Sequence, residues 1–182
     1  MAKKNKKLLI ASIIAIVIIV VGVLGVGLLL KGGDNKSPID LTNDFFNKYK
    51  KCDSEVVDKI EYPFDDELSE KQLKKYKELI KSQYKALDYE IAEEHIGEES
   101  AIVKVQFNVL DYKSSYDKAT SYLSLYGQAK SDTKKIDYKL KEMEKTKSKE
   151  KYSIEFNFHK LEGKWQMVDL TEADLQKLAG IF

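Results

Sequence analysis

The side chains able to do chemistry are few, and their spacing narrows the function before any fold is considered. The 182 residues hold two histidines, one cysteine and, since all 31 basic residues are lysine, no arginine. His95 and His159 each stand beside a turn at the end of an alternating apolar run. General-base catalysis needs an imidazole held against its substrate and tuned by a partner; these positions read instead as solvent-exposed hairpin ends. A zinc site at His95 would need a further ligand, for which only Glu93 or Glu94 is at hand. Cys52, between Lys51 and Asp53, has no base near it in sequence to take the thiol proton, and is read as a small half-buried residue. Asp65-Asp66-Glu67 lacks the ligand spacing of a calcium loop and reads as a solvated turn. No glycine-rich phosphate loop, nucleophile elbow or metalloprotease histidine pair occurs. No catalytic, cofactor-binding or metal-binding residue is therefore assigned, and no cofactor and no enzymatic activity are expected.

What remains is aromatic and cationic. Eleven tyrosines and seven phenylalanines could line a partner groove, but most recur at core periodicity. Tyr112, Tyr116, Tyr122 and Tyr126 cluster in one helical segment and are the candidates for an interaction surface. Lys134, Lys135 and Lys139 join them from the segment Lys130–Lys151, where nine lysines face five acids. A lysine-rich helix can face anionic lipid or wall polymer. Nucleic acid is excluded as a partner, because the formal charge is only +1 and no guanidinium fork is available for phosphate. The expected partners are the membrane, an envelope protein or an anionic wall or lipid surface.

The elements that must position these groups begin with an apolar run. Leu8 to Leu30 contains 23 residues without a charge. As a helix it would rise about 34 Å, enough for a hydrocarbon core of about 30 Å. The run is longer than the apolar part of a cleaved signal peptide, no small-x-small site follows it, and no cysteine follows it directly for lipidation. It is read as a retained transmembrane helix. Lys3, Lys4, Lys6 and Lys7 precede it, which places residues 1–7 in the cytoplasm and the rest outside. Residues 31–36 form a polar linker, and residues 37–182 an extracytoplasmic domain. Five lysines and no acid fall before Gly32, so the other 26 lysines meet all 30 acids, a balance of −4. The absence of arginine and the two prolines suit an AT-rich bacterial genome.

Within the outer domain the hydrophobic period alternates between helix and strand. Ser37-Pro38-Ile39-Asp40 opens a helix to about Lys50 with Thr42, Phe45, Phe46 and Tyr49 on one face. Val56, Val57 and Ile60 suggest a short helical turn ended by Tyr62-Pro63. Ser69 and Gln72 make a capping box for a helix with the stripe Leu73, Tyr76, Leu79, Ile80 and Tyr84. Leu87, Tyr89 and Ile91, a turn at Gly97, then Ala101, Val103, Val105, Phe107 and Val109 predict a hairpin with one buried face. Residues 113–149 return to helical spacing, with Tyr116, Ala119, Leu123 and Tyr126 in one stripe and Ile136, Leu140 and Met143 in another, joined near Gly127. A second hairpin follows, Tyr152 to Phe158 and Trp165 to Leu170, and a short helix is capped by Thr171. The fold class is α+β: a transmembrane helix, then a four-stranded antiparallel sheet packed against helices.

This order resembles the membrane-tethered extracytoplasmic proteins of low-GC Gram-positive bacteria that carry a nuclear transport factor two-like, or cystatin-like, domain of unknown function. The likeness runs over roughly residues 38–182. It is carried by the Ser37-Pro38 helix, by Gly97-Glu98-Glu99-Ser100-Ala101-Ile102-Val103, by two inserted helices, by Tyr152-Ser153-Ile154-Glu155-Phe156-Asn157-Phe158, and by Gly163-Lys164-Trp165 with Asp169 beyond. Many members carry a zinc ribbon or a lipobox, neither of which is present, so no signalling or metal role through such parts follows. The strong anchor, the short linker and the lack of a catalytic constellation lead to the expectation of a non-enzymatic module that engages an envelope protein or wall component. The alternatives are a scaffold subunit of a secretion or conjugation apparatus, a small-ligand carrier, and an immunity or exclusion protein.

Overall fold

The computed structural model describes residues 36–58, 60–128 and 130–182. The expected cytoplasmic tail 1–7, the transmembrane helix 8–30 and all of the linker but Lys36 lie outside the described residues. No helix among the described residues is long and apolar enough to cross a membrane.

The sheet grows from alternation. Strand β2 (Ser100–Leu110) buries Ala101, Val103, Val105, Phe107 and Val109 and turns the intervening residues outward. It pairs antiparallel with β1 (Asp88–Ile96) on one side and β3 (Lys149–Leu161) on the other. Strand β4 (Lys164–Met167) closes the order β1-β2-β3-β4. Val103 stands opposite Phe156 and Val105 opposite Ile154, so cross-strand apolar pairs share one face. Glu162 and Gly163 both take positive φ, as a two-residue type I′ hairpin turn requires. Two features depart from simple alternation. The β1–β2 register shifts between Ile91 and Glu93, and from there β1 runs exposed to Ile96. Strand β4 stops at Met167 rather than Leu170, because the chain turns away to reach Thr171, whose capping box with Asp174 fixes where the last helix begins.

Helices cover the buried face. Helix α1 (Pro38–Lys51) starts at the capping box of Ser37 and Asp40 and buries Leu41, Thr42, Phe45, Phe46 and Tyr49. Phe45 meets Phe156 edge-on at 5.1 Å, and Phe46 stacks on Tyr89 at 3.9 Å. A short turn α2 (Ser54–Val57) follows, and Ile60 is buried outside it. Cys52 ends α1 in the left-handed region, half-buried, with Sγ donating to the Lys81 carbonyl at 3.5 Å. Helix α3 (Glu70–Lys85) opens at Ser69 as expected. Helices α4 (Tyr112–Tyr126) and α5 (Asp132–Lys145) fill the β2–β3 connection, and α6 (Glu172–Ala179) closes the domain. The architecture is α+β, one antiparallel sheet packed against helices.

A single glutamine joins three of these parts. Gln83, buried near the end of α3, accepts from the Leu110 amide at 2.9 Å through Oε1 and donates to the Leu110 carbonyl at 3.0 Å through Nε2. The pair imitates a strand partner at the end of β2. Gly180, at φ 70°, lies over the same spot, where an added Cβ would fall 2.0 Å from the Leu110 carbonyl oxygen. Only glycine fits that approach. Gln83→Leu keeps the volume but orphans a backbone donor and acceptor, so urea denaturation is expected to show a loss of about 2–4 kcal/mol with the slope unchanged.

Candidate functional site

The α4–α5 pair is a helical hairpin set into what would otherwise be a plain β2–β3 turn. Leu110 pairs with Lys149 in the sheet, and the Asp111 amide donates to the Ser148 carbonyl at 2.9 Å, so the insertion leaves and returns at one point. A neck this narrow would leave the hairpin free to swing. It is instead tied along its length. Tyr112 Oη donates to the Leu79 carbonyl, Lys113 N–H to the Gly180 carbonyl, and the hydroxyls of Ser115 and Thr146 meet across the two helices. Gln72, buried at the start of α3, donates through Nε2 to the Thr133 carbonyl at 3.0 Å and to Asp137 Oδ1 at 2.9 Å.

The strongest tie is polar and partly buried. Asp66 Oδ2 accepts from Tyr62 at 3.1 Å, from Tyr116 at 2.5 Å and from Lys139 Nζ at 2.9 Å. Lys139 also reaches Asp66 Oδ1 at 3.0 Å and the Tyr116 hydroxyl at 3.1 Å. Phe64 stacks flat on Tyr116 at 3.6 Å, and Tyr62 packs edge-on against Tyr76 at 5.0 Å. Burial alone would raise the Asp66 pKa, but hydrogen bonds from Tyr116, Lys139 and Tyr62 outweigh it and hold the carboxyl below its ordinary value. Burial would likewise lower the Lys139 pKa, and its bonds to Asp66 and Tyr116 hold it above the usual lysine value. Both shifts favour the charged pair. Burial, with Tyr116 and Asp66 beside it, pushes the Tyr62 hydroxyl far up, so it stays a donor.

The seven candidate residues separate into two sets. Tyr112, Tyr116 and Lys139 are buried; Lys139 is 8% exposed. They hold the insertion onto the body and do not contribute to its surface. Burial pushes the Tyr112 hydroxyl up to about 12. Tyr122, Tyr126, Lys134 and Lys135 stay outside, with Tyr122 45% and Tyr126 70% exposed. Lys135 pairs with Asp132 at 2.9 Å. Sequence reasoning missed three members of the outer set. Leu125 is 70% exposed beside Tyr126, Tyr138 stacks on Tyr122 at 5.5 Å, and Lys130 Nζ lies 5.0 Å from the Tyr138 ring centre. The signal was present as a run without charge, Ala119 to Ala129, in a chain that is 34% charged.

Asp66 was also missed, since it is the acceptor of a partly buried hub and not a fully solvated turn residue. His95 and His159 are exposed, as their hairpin positions imply. Among the described residues no group of three or more His, Cys, Asp or Glu is placed to hold a metal ion. The arrangement has the parts of a braced surface, with an aromatic end fixed by an ion-pair hub.

No protein-family model matches the chain, and no curated protein matches it. A solved structure of a candidate lipoprotein (ycdA) from Bacillus subtilis is similar at 19% identity with a TM-score of 0.36. That match covers 85% of this chain and 52% of the other, so this chain spans about half the length of its neighbour.

The hub predicts an acid limb of stability. With the folded Asp66 pKa below its ordinary 3.8, its contribution is complete above about pH 4 and is lost as pH falls through the folded value. Lys139 acts oppositely, contributing below about pH 10.5 and failing as pH rises past its raised value. Asp66→Asn or Lys139→Met alone is expected to cost about 2–3 kcal/mol, because each leaves a partner without its charge. The double variant should cost less than the two singles together. Thermal melts across pH would show a flattened acid limb in Asp66→Asn.

Proposed function

We propose that this chain is a membrane-anchored extracytoplasmic binding module. Its α+β domain takes the cystatin-like, or nuclear transport factor two-like, arrangement and is held outside the cell by the apolar run Leu8 to Leu30. It engages a component of the cell envelope through the outer end of the helical insertion. It is proposed as a binding protein because its best-organised polar cluster, around Asp66, is spent on internal contacts.

One observation carries the reading. Tyr122, Leu125 and Tyr126 stand exposed together at the end of α4, against Tyr138 on α5. Tyrosine is enriched where proteins bind, because it offers a large apolar face and a hydroxyl at little entropic cost. An exposed leucine between two such rings gains nothing in the free domain and stabilises only a contact. The outward face of the sheet carries Glu90, Lys104, Gln106, Ser153, Glu155 and Asn157 around a single large exposed apolar side chain, Ile102, and the other exposed apolar residues, Ile96, Leu161 and Phe182, stand at strand ends and at the C-terminus.

The test uses the whole chain in its own cells. A photoreactive benzoylphenylalanine at Tyr126 is expected to give a discrete envelope adduct, and the same residue at Ser153 to give none. Leu125→Ser with Tyr122→Ser should abolish capture from Tyr126 at a stability cost of about 1 kcal/mol, chiefly the lost ring contacts of Tyr122. A membrane-impermeant amine reagent should label lysines beyond Lys31 and spare Lys3, Lys4, Lys6 and Lys7. Capture that persists in the serine variant, or labelling of the N-terminal lysines in intact cells, would overturn the reading.

A further inference from the structure

We infer that the aromatic end of the α4–α5 hairpin docks on the bilayer surface itself, with anionic phospholipid headgroups as its ligand. The inference rests on the binding-module reading above and names the occupant of the same surface.

The chemistry of the tip fits a headgroup layer. Tyr122, Tyr126 and Tyr138 each have an apolar ring and a polar end, the combination that settles where hydrocarbon meets headgroups. From Ala119 to Ala129 the chain carries no charge, so no ionised side chain in that stretch opposes partial entry. The cations stand around this patch. Lys118 precedes Tyr122 by one helical turn, Lys134 precedes Tyr138 by one turn, and Lys130 lies over the Tyr138 ring. None of these three has a carboxylate partner among the described residues; of the other lysines on the two helices Lys113, Lys135, Lys139 and Lys145 are paired, and Lys141, further from the tip, is not. The neighbouring acids Asp117, Asp132 and Glu142 are held by their own lysines, whereas Asp137 accepts from the neutral Gln72 amide and keeps its charge, one acid against the three lysines. The tip is therefore left with unneutralised positive charge facing outward.

The rest of the chain decides between a lipid surface and other occupants. The apolar run ends at Leu30, and six residues separate it from Ser37. Fully extended they span roughly 20 Å. The domain is thus held beside a bilayer at high effective concentration, which lowers the affinity that the tip itself must supply. From Lys36 onward the chain has 26 lysines against 29 acids, so the domain as a whole is repelled by an anionic surface and only the lysine-fringed tip is accepted. Charge thereby selects one orientation. The tip is the end of a helical pair and not a groove, a shape that a deformable headgroup layer accommodates.

The deciding experiment reconstitutes the full chain in vesicles of phosphatidylcholine with or without phosphatidylglycerol. Tyr126→Trp in a Trp165→Phe background supplies one reporter, and lipids brominated on their acyl chains act as quencher. The expected result is a blue-shifted, quenched emission in vesicles containing phosphatidylglycerol, relieved by salt. Replacing Lys118, Lys130 and Lys134 with Glu should lower headgroup occupancy on the order of a hundredfold. A reporter at Ser153 in the same background should stay unquenched. Emission that is unquenched in both lipids overturns the inference. If it is then blue-shifted only at high protein-to-lipid ratio, the occupant is a second copy. If Tyr126 is unquenched here but captures a protein in cells, the binding-module reading stands and the lipid assignment falls. No quenching and no capture would remove both.

Discussion

A carboxylate taken out of water must be given donors, and Asp66 is where this requirement shapes the domain. It sits in the loop before α3, yet its donors come from Tyr62 in the same loop, Tyr116 on α4 and Lys139 on α5. No two of these elements can move apart without stranding a partly buried charge. The hub adds little net stability relative to an apolar replacement of the same shape, but it permits one arrangement of loop and hairpin where greasy contacts alone would permit several. The flat stack of Phe64 on Tyr116 and the edge contact of Tyr62 with Tyr76 then exclude water from that single arrangement.

Helix α3 carries this constraint to the sheet. Gln72 and Gln83 lie eleven residues apart, about three turns and about 16 Å along the axis, on the same face. Between them Tyr76 and Ile80 are fully buried. One glutamine ties the N-terminal end of α3 to α5, and the other ties its C-terminal end to the last residue of β2 and to the end of α6. The apolar middle of the stripe holds the helix on the core, and the amide ends set its position along the core. The helical insertion is therefore fixed to the sheet twice, once through its neck at Asp111 and once through α3.

The parts legible in the sequence are those decided by neighbours a few residues away. Ser37, Ser69 and Thr171 each begin a helix where a cap was expected, and each closes a capping box. The alternation of β2 and β3 identified the buried face correctly, and Gly163 marked its turn. The hub was illegible because its members are 50 and 73 residues from Asp66, and nothing in Asp65-Asp66-Glu67 separates a buried acceptor from a solvated one. Tyr126 was placed in a stripe with Tyr116, Ala119 and Leu123, but helical period alone does not say where the surface that a helix packs against comes to an end. The bulge after Ile91 was hidden for a related reason, since a slip in register changes pairing partners without changing composition.

The same limit explains why the tip reads as functional. A residue that packs earns its apolar character from the fold; on α4 this accounts for Tyr112, Tyr116, Ala119 and Leu123. Tyr122 has only the rings of Tyr126 and Tyr138 against it, and Leu125 and Tyr126 are 70% exposed, so a charged residue at either of the last two would cost the free domain little. The bracing has the same implication from the other side. A hairpin needed only to bridge β2 and β3 could be a two-residue turn, whereas this one spans 38 residues, Asp111 to Ser148, and recruits a partly buried ion pair to hold it still. Rigidity of that kind is useless to a solvated protrusion. It lowers the ordering cost of a contact, because a patch already fixed in shape loses little freedom when it meets its partner. On the proposed reading the apolar end and the polar hub are two halves of one device, with Asp66 holding still what Tyr122, Leu125 and Tyr126 present.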